Sequence, residues 1–249
     1  VGLFNGTGEL LFRALLETSR SKTRDQCAIE LLGVFQLYGA DACTVDGAIL
    51  SSVVPPLTTI FTDAIARLTG IPPMVVGPGI RTGLNIKAEI HNQLGSDIVA
   101  SSVAAIAKYP SPIVMVDMGT ATSLSLIVGS VYEGCIIMPG LALALDALSE
   151  RAAALPPISI ETASPVGLMG HTTEEAMRSG VLYGHASMVD GMLERIEESI
   201  GQSVTTVATG GNAPRILRYC KRPIQYDADL IMTGLYLLYQ KNAKKYRKA

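Results

Sequence analysis

Tryptophan is absent from this chain of 249 residues, and charge is scarce: Asp, Glu, Lys and Arg make up only 17% of it. The first absence excludes no function. The second, beside 48% hydrophobic residues, excludes a disordered chain, since there is ample apolar side chain for a core. Long apolar runs are missing too. None approaches the roughly 20 residues that span a bilayer, so a mean hydropathy of +0.34 reflects a buried sheet and its helices. There is no basic excess: net charge is -2, which gives no general field for nucleic acid. The one basic cluster, Lys241 to Lys248, reads as a solvated helix end. The four cysteines, Cys27, Cys43, Cys135 and Cys220, show no CxxC spacing, which argues against a zinc site. With no signal-peptide pattern, the chain is expected in a reducing cytoplasm.

What is there centres on Ile113 to Val128, IVMVDMGTATSLSLIV. Ile113 to Asp117 is a nearly unbroken apolar run and predicts a buried strand. Met118 to Ser123 predicts a turn of small and hydroxylated residues, and Leu124 to Val128 a second strand. The tip offers a carboxylate, hydroxyls and backbone N–H groups together, which suits phosphate oxygens and a cation. An ordinary hairpin with Asp at its turn carries the same letters.

Along the chain, Val1 to Phe4 and Glu9 to Leu16 predict a hairpin across the Asn5-Gly-Thr-Gly turn. Arg24 to Tyr38 predicts a helix, Gly47 to Val54 a strand, Leu57 to Leu68 a helix behind Pro55-Pro56, and Met74 to Val76 a short strand. Gly77 to Gly83, GPGIRTG, is a glycine-rich loop, a weak anion-binding signal when taken alone. Ile98 to Ala107 predicts a helix. Asp97 at its start is either a cap or a carboxylate held in a cleft. Beyond Pro110 to Pro112 come a strand over Val131 to Pro139 and a helix over Leu141 to Ala154. A long helix runs from Thr172-Thr173-Glu174-Glu175 to about Ile200, and a strand follows over Ser203 to Ala208. The glycine turn Thr209-Gly210-Gly211-Asn212-Ala213 leads to a helix over Pro214 to Tyr219, a strand over Pro223 to Tyr226 and a last helix from Asp229. Each half opens on a hairpin and continues β-α-β-α, so the fold class is mixed α/β with two similar halves, divided at 1–110 and 111–249. His91, His171 and His185 fall in no motif.

The motifs VDMGTATS, EGCIIMPG, LSERAAALP, TTEEAMRSGVLYG and ATGGNAP closely resemble type III pantothenate kinase, the group that includes the Bvg accessory factors. So do ILSSVVPP, VVGPGIRTGLNIK and GSDIVASSVAA in the first half. The resemblance covers nearly the whole chain in order. It implies two ribonuclease-H-like domains of the acetate and sugar kinase/actin superfamily, with a nucleotide cleft between them. It also implies a first strand and an Asp-x-Gly-Asn-Thr phosphate loop ahead of Val1, both lacking here.

The activity implied is transfer of the ATP γ-phosphate to the 4′-hydroxyl of pantothenate, the first step of coenzyme A synthesis. Asp97 falls on the family's general base. Gly95, Ser96, Asp97, Ile98 and Thr173 fall on substrate-binding positions. Gly119, Thr120, Gly210 and Gly211 fall on the nucleotide side, and Asp117 on a monovalent-cation position, for K⁺ or NH₄⁺. Mg²⁺ would come with ATP, and the family's homodimer would complete the substrate site. No nucleic-acid or membrane partner is expected. Four positions depart from the family pattern: Ile98 replaces an Arg, Ala88 a Tyr, Glu133 a Gly and Thr172 an Asn. Arg81 and Lys87 lie in the same loop as Ala88. Three readings stay open: an active pantothenate kinase, a non-catalytic nucleotide-binding paralogue, and a kinase of the same fold acting on another small alcohol.

Overall fold

A computed structural model describes residues 1–86, 94–161 and 166–243. The chain forms two compact units. One comprises Val1–Leu84, Ala88–Ala107 and Leu230–Ala249; the other comprises Asn85–Lys87 and Lys108–Asp229. The last helix therefore belongs with the first unit, which a single division at residue 110 does not provide for.

The second unit is built on β6 (Ile113–Met118). Residues 113–116 are fully buried, so a continuous apolar run, not an alternating one, is what this central strand requires. β7 (Ala121–Val128) and β8 (Val131–Pro139) follow it antiparallel. β9 (Thr205–Thr209) and β10 (Gln225–Tyr226) add parallel strands on its other side. The order β8-β7-β6-β9-β10, three antiparallel strands and then two parallel ones, is the ribonuclease-H-like arrangement. β5 (Asn85–Ile86) extends the edge beside β8. Two residues carry no readable periodicity, and β5 was not predicted.

Helices α4 (Leu141–Arg151), α5 (Thr173–Ile200) and α6 (Ala213–Ile216) accompany this sheet. α5 starts on a capping box: the Thr172 hydroxyl accepts from the Glu175 N–H while the Glu175 carboxylate reaches back to the Thr172 N–H. It stops at Gly201, whose φ of 68° is the left-handed cap a glycine adopts freely. Its stripe of Met177, Val181, Val189, Leu193 and Ile196 enters one continuous core with Val114, Val116 and Met118.

In the first unit β1 (Gly2–Phe4) and β2 (Leu10–Arg13) form an antiparallel ribbon, and β3 (Ile49–Leu50) and β4 (Met74–Val75) a parallel one. The helices are α1 (Arg24–Leu37), α2 (Pro55–Thr69), α3 (Ser96–Lys108) and α7 (Leu230–Asn242). A cavity of about 1120 Å³ is lined by Leu3, Ile49, Leu50, Leu57, Leu235 and their neighbours.

β3 is much shorter than the predicted Gly47–Val54. The serines that follow it satisfy local groups instead of a ladder. The Ser52 hydroxyl donates to the Val54 carbonyl and accepts from its N–H, and the Ser51 and Ser96 hydroxyls lie 2.8 Å apart.

Candidate active site

The turn between β6 and β7 is tighter than the sequence implied. Only Gly119 and Thr120 lie outside the strands, while Thr122 and Ser123 pair with Met118 and Asp117. Asp117 is half-buried and stands across from Thr209 on the neighbouring parallel strand. Thr120 is exposed at the tip.

Two other segments hold this tip. The Gly140 N–H donates to the Thr120 carbonyl at 3.1 Å. A Cβ at Gly140 would fall 2.2 Å from that oxygen, so no larger residue can approach as closely. After β9, Gly210 turns the chain with a φ of 94° and passes against the end of β6. A Cβ there would lie 2.6 Å from the Met118 carbonyl and 2.8 Å from Asp117 Oδ1. The Asn212 N–H donates to the Met118 carbonyl at 3.1 Å, and its side-chain amide to the Gly119 carbonyl at 3.2 Å. The structure thus brings Asp117, Gly119, Thr120 and Gly210 together. Gly211 is exposed, with open space around its Cα. Gly140 and Asn212 were not picked out by sequence. Gly140 read as the end of a strand and Asn212 as one letter of a glycine turn.

In the first unit, Gly95, Ser96, Asp97 and Ile98 form the entry to α3. Asp97 lies in the first helical turn, where an acidic side chain suits the helix N-terminus. Its Oδ1 accepts the Ile98 N–H at 2.8 Å, and a Cβ at Gly95 would meet that same oxygen at 2.3 Å. The Ser96 hydroxyl contacts Ser51 and donates to the Ser52 carbonyl, which ties this helix start to the end of β3. Ile98 is half-buried. Lys87, Ala88 and His91 lie outside the described residues. Arg81, exposed, has its backbone gripped at both ends by the Asn242 amide, at 3.0 Å each.

Thr173 is the first residue of α5 and is exposed, one place after its capping Thr172. The His171 N–H donates to the Glu175 carboxylate at 2.8 Å. Together with the Thr172 N–H, that bond holds the Glu175 carboxyl below its usual range. The loop before α5 is thereby pinned onto its first turn. Among the described residues no group of three or more His, Cys, Asp or Glu side chains could hold a metal ion.

Fold and site together define a mixed α/β protein with a ribonuclease-H-like sheet. The end of its central strand presents a carboxylate and a glycine-braced turn. The family model described as type III pantothenate kinase matches residues 1–195. A protein of that name from Exiguobacterium sp. is 38% identical over 98% of this chain and 95% of its own length. Those from Bacillus cytotoxicus and Geobacillus thermodenitrificans are each 38% identical over 98% of this chain and 92% and 94% of theirs. The chain belongs to the type III pantothenate kinase family.

Proposed function

We propose that this chain transfers the γ-phosphate of ATP to the 4′-hydroxyl of pantothenate, the entry reaction of coenzyme A synthesis. Beyond family membership, the observation that supports this most is the β6–β7 tip, where Asp117 and the backbone of Gly119–Thr120 stand against the Gly210 turn. Phosphoryl transfer asks mainly for positioning and charge neutralisation, and a rigid tip of N–H groups and hydroxyls beside a carboxylate supplies both.

In this reading Thr120, Gly119, Gly210 and Gly211 receive the nucleotide. Asp97 accepts the proton of the attacking hydroxyl. Gly95, Ser96, Ile98 and Thr173 border the alcohol substrate. A monovalent cation, K⁺ or NH₄⁺, would sit at Asp117: one carboxylate flanked by threonine and serine hydroxyls is an all-oxygen donor set suited to a hard cation. Mg²⁺ would come with ATP.

The two units are read as the two ribonuclease-H-like domains expected at 1–110 and 111–249, with the last helix, α7, grouped with the first. A homodimer is proposed as well. Ile137 at 71% exposure, Leu168 and Met169 leave apolar surface on the second unit that a second copy would cover. No helix among the described residues is long and apolar enough to cross a membrane, and a cytoplasmic location is proposed from the use of ATP.

The test is Asp97→Asn. An amide still accepts the Ile98 N–H, so melting should be unchanged while kcat falls at least about a hundredfold. Unchanged kcat would remove Asp97 from the role of base. Ile98 favours one competing reading. An alkyl side chain cannot bind a carboxylate as a guanidinium would, which suits a different small alcohol. Turnover of another alcohol with none on pantothenate would establish that reading.

A further inference from the structure

We infer that Asn212 is a positioning residue for ATP, fixing which way the peptide at the β6–β7 tip faces. The inference rests on the reading of that tip as the phosphate-binding turn. Gly119 has the conformational freedom to let the Gly119–Thr120 peptide rotate. In a trans peptide the carbonyl and the N–H point to opposite sides. Holding the Gly119 carbonyl therefore decides where the Thr120 N–H points. Asn212 Nδ2 donates to that carbonyl at 3.2 Å, so the Thr120 N–H is turned away from Asn212 and presented as a donor to a phosphate oxygen.

The amide itself is set from behind. Arg215 Nη1 donates to Asn212 Oδ1 at 3.3 Å. A guanidinium can only donate and a carbonyl can only accept, so only one orientation of the Asn212 side chain satisfies both neighbours. Arg215 pairs in turn with the Glu161 carboxylate. The backbone bond from the Asn212 N–H to the Met118 carbonyl closes the turn without the side chain. Removing the amide should therefore free the tip peptide and leave the fold standing.

The experiment compares wild type with Asn212→Leu and Arg215→Met. It measures equilibrium binding of a non-hydrolysable ATP analogue, KM for ATP and for pantothenate, kcat and thermal melting. Asn212→Leu should weaken ATP analogue binding and raise KM for ATP about tenfold. KM for pantothenate and the melting temperature should stay as in wild type. Arg215→Met, which keeps the donor and loses only its brace, should shift the same two quantities less. Unchanged ATP parameters in Asn212→Leu would overturn the inference. So would parallel losses in both KM values and melting, which would mark Asn212 as merely structural. If Asn212→Leu does not fold, Arg215→Met decides by the same split. A wild type that binds the nucleotide but does not phosphorylate pantothenate would sink the proposed substrate alone, and the binding arm would still judge Asn212. A wild type that binds no nucleotide would end both.

Discussion

In the second unit β8, β7, β6, β9 and β10 lie side by side in one sheet. In the first, among the described residues, β1 pairs only with β2 and β3 only with β4, and the cavity of about 1120 Å³ is lined by both ribbons. The pieces correspond. An antiparallel pair like β7–β8 is present in both units, and so is a parallel pair like β9–β10. What the second unit has between them is β6; among the described residues the first unit has no counterpart. The cores follow the sheets. One continuous cluster runs from β6 through α5 to α6 in the second unit. Among the described residues, the first unit has clusters around Phe12 and Phe35 and around Cys27 and Leu31, which share Val1, Leu16 and Leu68, and another around Val76 and Leu238. A strand buried on both faces is what joins the packing on the two sides of a sheet.

The largest effect is expected where β6 ends. Gly210→Ala places a methyl group 2.6 Å from the Met118 carbonyl, on a residue at φ 94°. Strain and overpacking together should cost more than about 3 kcal/mol, and ATP-dependent turnover should be lost with the tip. Its neighbour is the control. A Cβ at Gly211 meets nothing within 4 Å, so Gly211→Ala should stay within about 0.5 kcal/mol in denaturant titration. Equal costs at the two glycines would contradict the close approach on which the site is built.

Much of the fold was legible because its signals are local. The apolar run of β6, the cap and stripe of α5 and the Arg24 to Leu37 helix each lie within one segment. Asp117, Thr120 and Asp97 were legible as polar side chains at predicted strand and helix ends. The rest depends on approaches between distant residues. Asn212 reaches Gly119 across 93 positions, and Thr122 reaches His185 across 63. Gly140 touches a tip that no local pattern connects to it. Beyond the end of β3 the Ser52 hydroxyl bonds the Val54 backbone, a local choice that the apolar pattern of GAILSSVV conceals.

The smallest expected effect is a pH dependence in the second unit. His185, without a role in the sequence, is buried on α5, and its Nε2 lies 2.8 Å from the Thr122 hydroxyl on β7. Burial disfavours the charged ring and holds its pKa below the ordinary 6.5. The unfolded chain therefore binds more protons than the folded one between that lowered value and about 6.5, so stability rises with pH across this window. The contribution is complete above about pH 6.5 and is lost as pH falls below it. Among the described residues no other histidine is buried, so this contribution belongs to the second unit. His185→Gln offers Thr122 a hydrogen-bonding side chain that does not titrate, so it should melt with a flatter pH dependence than wild type between about pH 7.5 and 5. Identical slopes for the two proteins would remove His185 as the source of the acid sensitivity.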